Sequence, residues 1–235
     1  MKRVLFIIVV LSLVLALLLF RVFFKSKTTS KVIPTTQIAN QNQNTNQSLN
    51  QNINQNQNQN QNQNINSVIA NNNLAFPIDQ FRARITKKPF GIYITPQNSP
   101  VQPERFTGYH TGTDIEYQDV TTDVPVYAIA DGKIVLSETA SGYGGVFVLD
   151  FKFPDGSEHT AIYGHIRPSS LPKSGARVTK NQQLAVLGTG YSAETDGERR
   201  HLHFGIRADH SINILGYVQT KAALSGWIDP VSLYQ

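Results

Sequence analysis

The stretch His201-Leu202-His203-Phe204-Gly205-Ile206, HLHFGI in one-letter code, decides how this chain is read. Successive side chains of a β-strand point to opposite faces. As a strand, the stretch puts His201, His203 and Gly205 on one face and Leu202, Phe204 and Ile206 on the other. The apolar trio reads as a core face. The histidine face is either wet surface or half of a site, and the pair alone does not separate the two.

The sequence around it is also β-patterned. VPVYAIA (124–130) runs through Asp131-Gly132 into KIVLSE (133–138), which predicts a hairpin. SGYGG (141–145) precedes VFVLDFKF (146–153). PDG (154–156) turns into EHTAIYGHI (158–166), and QQLAVLGTG (182–190) holds one more short strand. Turn residues recur every 8–12 residues or so, which suits an antiparallel sheet or sandwich. No long amphipathic helix is evident. The phosphate-cradling and dinucleotide-binding glycine patterns are both missing, which argues against nucleotide chemistry.

Composition bounds the rest. The chain has 235 residues, 40% hydrophobic, no cysteine and a formal charge of +5. Without cysteine there is no disulfide scaffold and no thiolate metal ligand. The positive charge is local: Lys2, Arg3, Arg21, Lys25, Lys27 and Lys31 stand in a region without acids, whereas 15 basic and 16 acidic residues follow from Asp79 onward. The globular part has no cationic excess, so nucleic acid is not an expected partner.

The run from Val4 to Phe20 is uncharged, and Val22-Phe23-Phe24 extends it past Arg21. That reaches the roughly 20 apolar residues a membrane-spanning helix needs. A cleaved signal peptide would have a shorter apolar region and a small-residue cleavage site close behind it. No such site follows, so residues 1–31 are expected to be an uncleaved single transmembrane helix with basic flanks. From Val32 to Ile78 there is no charged residue, and much of the segment is a Gln/Asn repeat. Such a tract buries too little apolar area to offset its ordering entropy, so 32–73 is expected to be a disordered tether. About 50 such residues reach on the order of 40 Å. From about Leu74 the composition is globular.

Four of the six histidines fall in three short motifs: HTGTD (110–114), YGHI (163–166) and HLH (201–203). His159 and His210 read as ordinary surface residues. His110 and Asp114, four apart, share one face of a strand, and Gly112 with two threonines disfavours a helix. Imidazole nitrogen and carboxylate oxygen together suit a borderline cation such as zinc. With one further histidine they would make three protein ligands and leave an open position, the arrangement of a catalytic rather than a structural zinc site.

Taken in order, the three motifs resemble those of the lysostaphin-type (LytM-type) zinc endopeptidases of bacterial cell walls. VPVYAIADGKIV (124–135), SGARVTKNQQLAVLGTG (174–190) and the closing WIDPVSLY (227–234) resemble further family segments. The likeness implies zinc ligands at His110, Asp114 and His203 and catalytic histidines at His165 and His201. It implies a mainly β fold, an antiparallel sheet with a groove holding a zinc site, in a peptidase domain at 74–235 whose motif-bearing core is about 105–235. The implied activity is zinc-dependent hydrolysis of peptide bonds in peptidoglycan stems or cross-bridges, by a domain on the outer, wall-facing or periplasmic, side of the membrane. A non-catalytic wall-binding module or activator of another hydrolase is the alternative, which the presence of all five residues disfavours. GARV and LAVLG also resemble swivelling lipoyl or biotinyl carriers, but Lys133 lacks the flanking pattern of a modified lysine. Three departures stand out: Gly197-Glu198-Arg199-Arg200 before HLH, Asn181 at a usual glycine, and the unfamiliar SINILGYVQTKAALSG (211–226). All three are expected around the groove, where they would bear on substrate preference more than on chemistry.

Overall fold

The computed structural model describes residues 74–234; the anchor and tether read at 1–73 lie outside the described residues. Among the described residues no helix is long and apolar enough to cross a membrane. The one α-helix there, α1 (Lys221–Leu224), is a single turn capped by the Thr220 side chain.

The chain enters through β1 (Tyr93–Ile94), β2 (Gly108–His110) and β3 (Gly112–Glu116), then β4 (Pro125–Tyr127). Three nine-residue strands or near it follow as a meander: β5 (Gly132–Ala140), β6 (Gly144–Lys152) and β7 (Glu158–Ile166). After β8 (Arg177–Val178) and β9 (Gln183–Val186) come β10 (His201–Arg207), β11 (Tyr217–Val218) and β12 (Trp227–Ile228). The main sheet runs β12-β10-β7-β6-β5-β8, with β3 also paired to β10, and every pairing in it is antiparallel. β1-β2-β11 and β4-β9 form two smaller sheets.

Alternation sorts each long strand. Leu202, Phe204 and Ile206 of β10 lie with Phe147, Leu149 and Phe151 of β6 and Tyr163 of β7 in the main core. That core is closed by β4, β9, Ile78, Phe81 and Tyr234. Each such side chain, fully buried, contributes about 1.5–3 kcal/mol. On the opposite face Val146, Val148 and Ile162 form a smaller cluster with Tyr143 and Trp227. His201 and His203 share that second face.

The PDG turn forms as the sequence suggests: Phe153 N–H donates to Ser157 O at 3.0 Å, with Gly156 at φ +85°. The hairpin read across Asp131-Gly132 does not form. β4 pairs with β9, whereas β5 pairs with β6 and β8. Asp131 Oδ1 accepts the Lys180 N–H instead of closing a turn, and the chain passes there from one sheet to another. His159 is also not a surface residue: it is 7% exposed, with Nδ1 3.0 Å from Arg207 O and Nε2 3.0 Å from Ser157 Oγ. His210 is exposed, beside Asp150 at 2.7 Å.

The central glycine of HTGTD is explained by strand spacing. A Cβ on Gly112 would stand 2.5 Å from the Phe204 carbonyl oxygen and 3.0 Å from the His203 ring. Gly112→Ala must push β3 off β10, and Asp114 with it. The expected cost is about 1–3 kcal/mol, read as a fall of several degrees in Tm. An unchanged Tm would show that β3 tolerates the shift.

Candidate metal centre and its cavity

The five residues singled out by the sequence come from four strands. His110 ends β2 and Asp114 sits in β3, with the chain bending at Thr111 between them. Thr111 is fixed there by bonds to the loop before β11: its N–H donates to Gly216 O at 3.1 Å and its hydroxyl to Leu215 O at 2.6 Å. The β3–β10 register sets Asp114 directly opposite His203.

His110 Nε2 lies 3.0 Å from His203 Nδ1, and Asp114 Oδ1 lies 3.2 Å from each of these nitrogens. The three atoms form a nearly equilateral triangle. Ligands about 2.0–2.1 Å from a tetrahedral zinc stand about 3.3 Å apart, so the triangle is close to one face of such a tetrahedron. Proton placement fits as well. His110 Nδ1 is 3.1 Å from the Pro89 carbonyl, which can only accept. Nδ1 therefore carries a proton, which leaves Nε2 as the nitrogen that can present a lone pair beside a carboxylate oxygen. A shared proton or a cation must lie between two such acceptors. The residues fit a zinc ion held by His110, Asp114 and His203.

The electrostatics favour ionised Asp114. Burial alone would raise its carboxyl, but His110, His201 and Arg199 outweigh that and hold it well below the ordinary carboxylate range. The same burial lowers His203, against the pull of Asp114.

His165 and His201 stand beside the triangle with ring centroids 4.1 Å apart. His201 Nδ1–H donates to Arg199 O at 2.9 Å, which leaves Nε2 as an acceptor, 3.4 Å from Asp114 Oδ2. His165 reaches the site by a backbone irregularity. In strict alternation it would follow Ala161 and Tyr163 into the core. The β6–β7 register slips between Gly145 and Val146, and His165 takes φ +62°. Ile166 then fills the core position, and His165 turns to the second face, the re-aiming a β-bulge produces. Its Nδ1 is buried without a partner. Burial lowers His165 to about 3 and His201 well below its usual value, in both cases against Asp114. Burial thus disfavours the protonated form of both rings.

A cavity of about 430 Å³ opens onto Asp114, His165, His201 and His203. Phe106, Tyr143, Leu215 and Tyr217 are among its walls, so part of the unfamiliar 211–226 segment does line it. Tyr143 OH and His203 Nε2 are buried there without partners, two donors available to a bound molecule. Lys88, 2% exposed, also lines the cavity and bonds Glu104 at 2.5 Å and Tyr217 OH at 3.1 Å. The residues before the motif-bearing core thus divide: Ile78 and Phe81 pack into the main core, while Lys88 reaches the cavity.

Sequence reasoning missed Arg199. It is not on the rim but 1% exposed, with Nη2 2.6 Å from Asp114 Oδ2 and 2.8 Å from Glu116 Oε1. Burial pushes the Glu116 carboxyl up, whereas the two carboxylates keep Arg199 charged. With Arg199 Nε also 2.9 Å from Glu116 Oε2, the contacts are those of an ionised pair. No charge pattern in GERR foretold this, because its partners lie 83 and 85 residues away. Asn181 does not reach the groove: its N–H donates to Ala128 O at 2.9 Å, next to β4, and it adopts φ +66°, a left-handed conformation that Asn tolerates where glycine is usual.

Residues 108–214 match peptidase family M23. Among solved structures, the catalytic domain of the antimicrobial peptidase lysostaphin from Staphylococcus simulans is 24% identical, with TM-score 0.43, over 65% of this chain and 93% of that one. Helicobacter pylori Csd3 is 23% identical, with TM-score 0.40, over 64% of this chain and 36% of that one. A zinc-containing peptidase from Vibrio cholerae is 24% identical, with TM-score 0.36, over 56% of this chain and 35% of that one. No curated protein matches the chain.

Proposed function

We propose that this chain, which carries a peptidase M23 domain of the lysostaphin/LytM type, is a zinc metalloendopeptidase that hydrolyses peptide bonds in peptidoglycan. The observation that supports it most is the triangle of His110 Nε2, Asp114 Oδ1 and His203 Nδ1, with two further histidines beside it in one cavity. Zinc held there would polarise a scissile carbonyl and lower the pKa of a coordinated water toward ~7. His201 offers Nε2 to accept a proton, its orientation fixed by the Arg199 carbonyl. His165 offers a second nitrogen to a proton or to the leaving amine. Tyr143 OH, without a partner, can donate to a developing oxyanion.

One observation favours the alternative, a non-catalytic wall-binding module: the five side chains are only 1–4% exposed. Digestion decides between them. The full chain, loaded with zinc, is incubated with purified peptidoglycan fragments, and products are followed by mass. New amine ends that vanish with chelator and return with zinc are expected. Binding to the fragments without new amines would leave the module reading.

We also place the domain on the wall-facing side of the membrane, carried by an anchor at Val4–Phe20 and the Gln/Asn tether. Both segments lie outside the described residues. Protease added to spheroplasts of a producing bacterium is expected to remove the domain. A domain that survives until the membrane is permeabilised would place it inside.

A further inference from the structure

The metal-facing carboxylate is itself held by a buried cation. Arg199 gives one Nη2–H bond to Asp114 Oδ2 at 2.6 Å and three contacts of 2.8–3.0 Å to Glu116. Glu116 is two residues from Asp114 in β3, so both carboxylates point to the same face and would repel each other unbridged. Arg199 is anchored by Glu116 in the forked geometry only a guanidinium provides. The remaining reach of that fork ends on Asp114 Oδ2, the oxygen turned away from His110 and His203.

We propose that Arg199 is a positioning residue that commits Asp114 to the metal through Oδ1 alone and so tunes the site for a four-coordinate cation. This rests on His110, Asp114 and His203 being the ligands. A carboxylate free to swing can bind through both oxygens, which favours larger cations of higher coordination number. With Oδ2 occupied by Arg199, that mode is blocked. Glu116 acts one step further out: it holds the buried guanidinium in place and balances its charge. Partners beyond the ligands commonly change metal affinity 10–100-fold when removed.

The test uses the full chain, stripped of metal, as wild type, Glu116→Gln and the double variant Glu116→Gln/Arg199→Gln. The double variant avoids leaving Glu116 buried without its cation, and circular dichroism checks its fold. Each is titrated with Co²⁺, read by visible absorption, and with Zn²⁺ and Mn²⁺ against a chelator. Wild type is expected to give the intense bands of four- or five-coordinate cobalt. The double variant is expected to give weaker, six-coordinate bands, to bind zinc about 10–100-fold more weakly, and to gain manganese relative to zinc. Glu116→Gln keeps a carbonyl oxygen where Oε1 accepts from Arg199 Nε and Nη2, so Arg199 stays on Asp114 and this variant is expected to stay near wild type. A double variant with the wild-type cobalt spectrum and zinc affinity overturns the proposal. So does a Glu116→Gln variant as impaired as the double one, since Glu116 would then do the positioning. If wild type binds no zinc, the ligand assignment fails, and this proposal with it.

Discussion

His203→Ala and His201→Ala, two residues apart on one strand face, are expected to fail differently. His203 Nδ1 closes the triangle with His110 and Asp114, so removing it leaves two ligands. Zinc content and activity should both collapse. His201 lies outside the triangle, with Nδ1 held by the Arg199 carbonyl, so its loss leaves three ligands intact. Zinc should stay near one per chain while turnover falls by roughly 10²-fold or more, the scale of a lost acid–base group. Both positions are buried in β10 between β3 and β7, so thermal unfolding of each variant must accompany the metal analysis. Equal zinc loss in the two would make both histidines ligands and end this division of roles.

Leu202→Asp should not fold. Leu202 is fully buried, faces the main core and stands opposite Ile115 of β3. Aspartate there loses the leucine's burial and places a carboxylate in the main apolar core, beside Ile115. An unpaired buried charge costs several kcal/mol, on top of ~2–3 kcal/mol for the leucine. A domain of ordinary stability has only about 5–15 kcal/mol in total. The expected result is a loss of the cooperative thermal transition and of dispersed amide resonances. A transition within a few degrees of wild type would mean that the core face of β10 has been assigned to the wrong side.

The contrast between these two substitutions follows from the alternation of HLHFGI, which needs no tertiary information. Backbone geometry sends successive strand side chains to opposite faces, so the apolar trio and the histidine pair separate from the pattern alone. The same local logic supplied the PDG turn and the strands on either side of it. It supplied the motif residues too, because HTGTD, YGH and HLH are each contiguous. It misread Asp131-Gly132, where the turn chemistry looked like a hairpin but the two flanking strands pair elsewhere. Which strand lies opposite which is settled by packing across the whole domain, and a dipeptide carries no record of it. Only the tertiary structure could therefore set Asp114 against His203, 89 residues apart. The slip in the β6–β7 register that turns His165 out of the core is a relation between two strands, invisible in either one. Arg199 is the sharpest case. In sequence it is one basic residue in GERR, with the look of a solvated turn. In the fold it is a buried cation between two carboxylates, because burying Asp114 and Glu116 on one strand face demands a counter-charge, and β10 brings this one within reach.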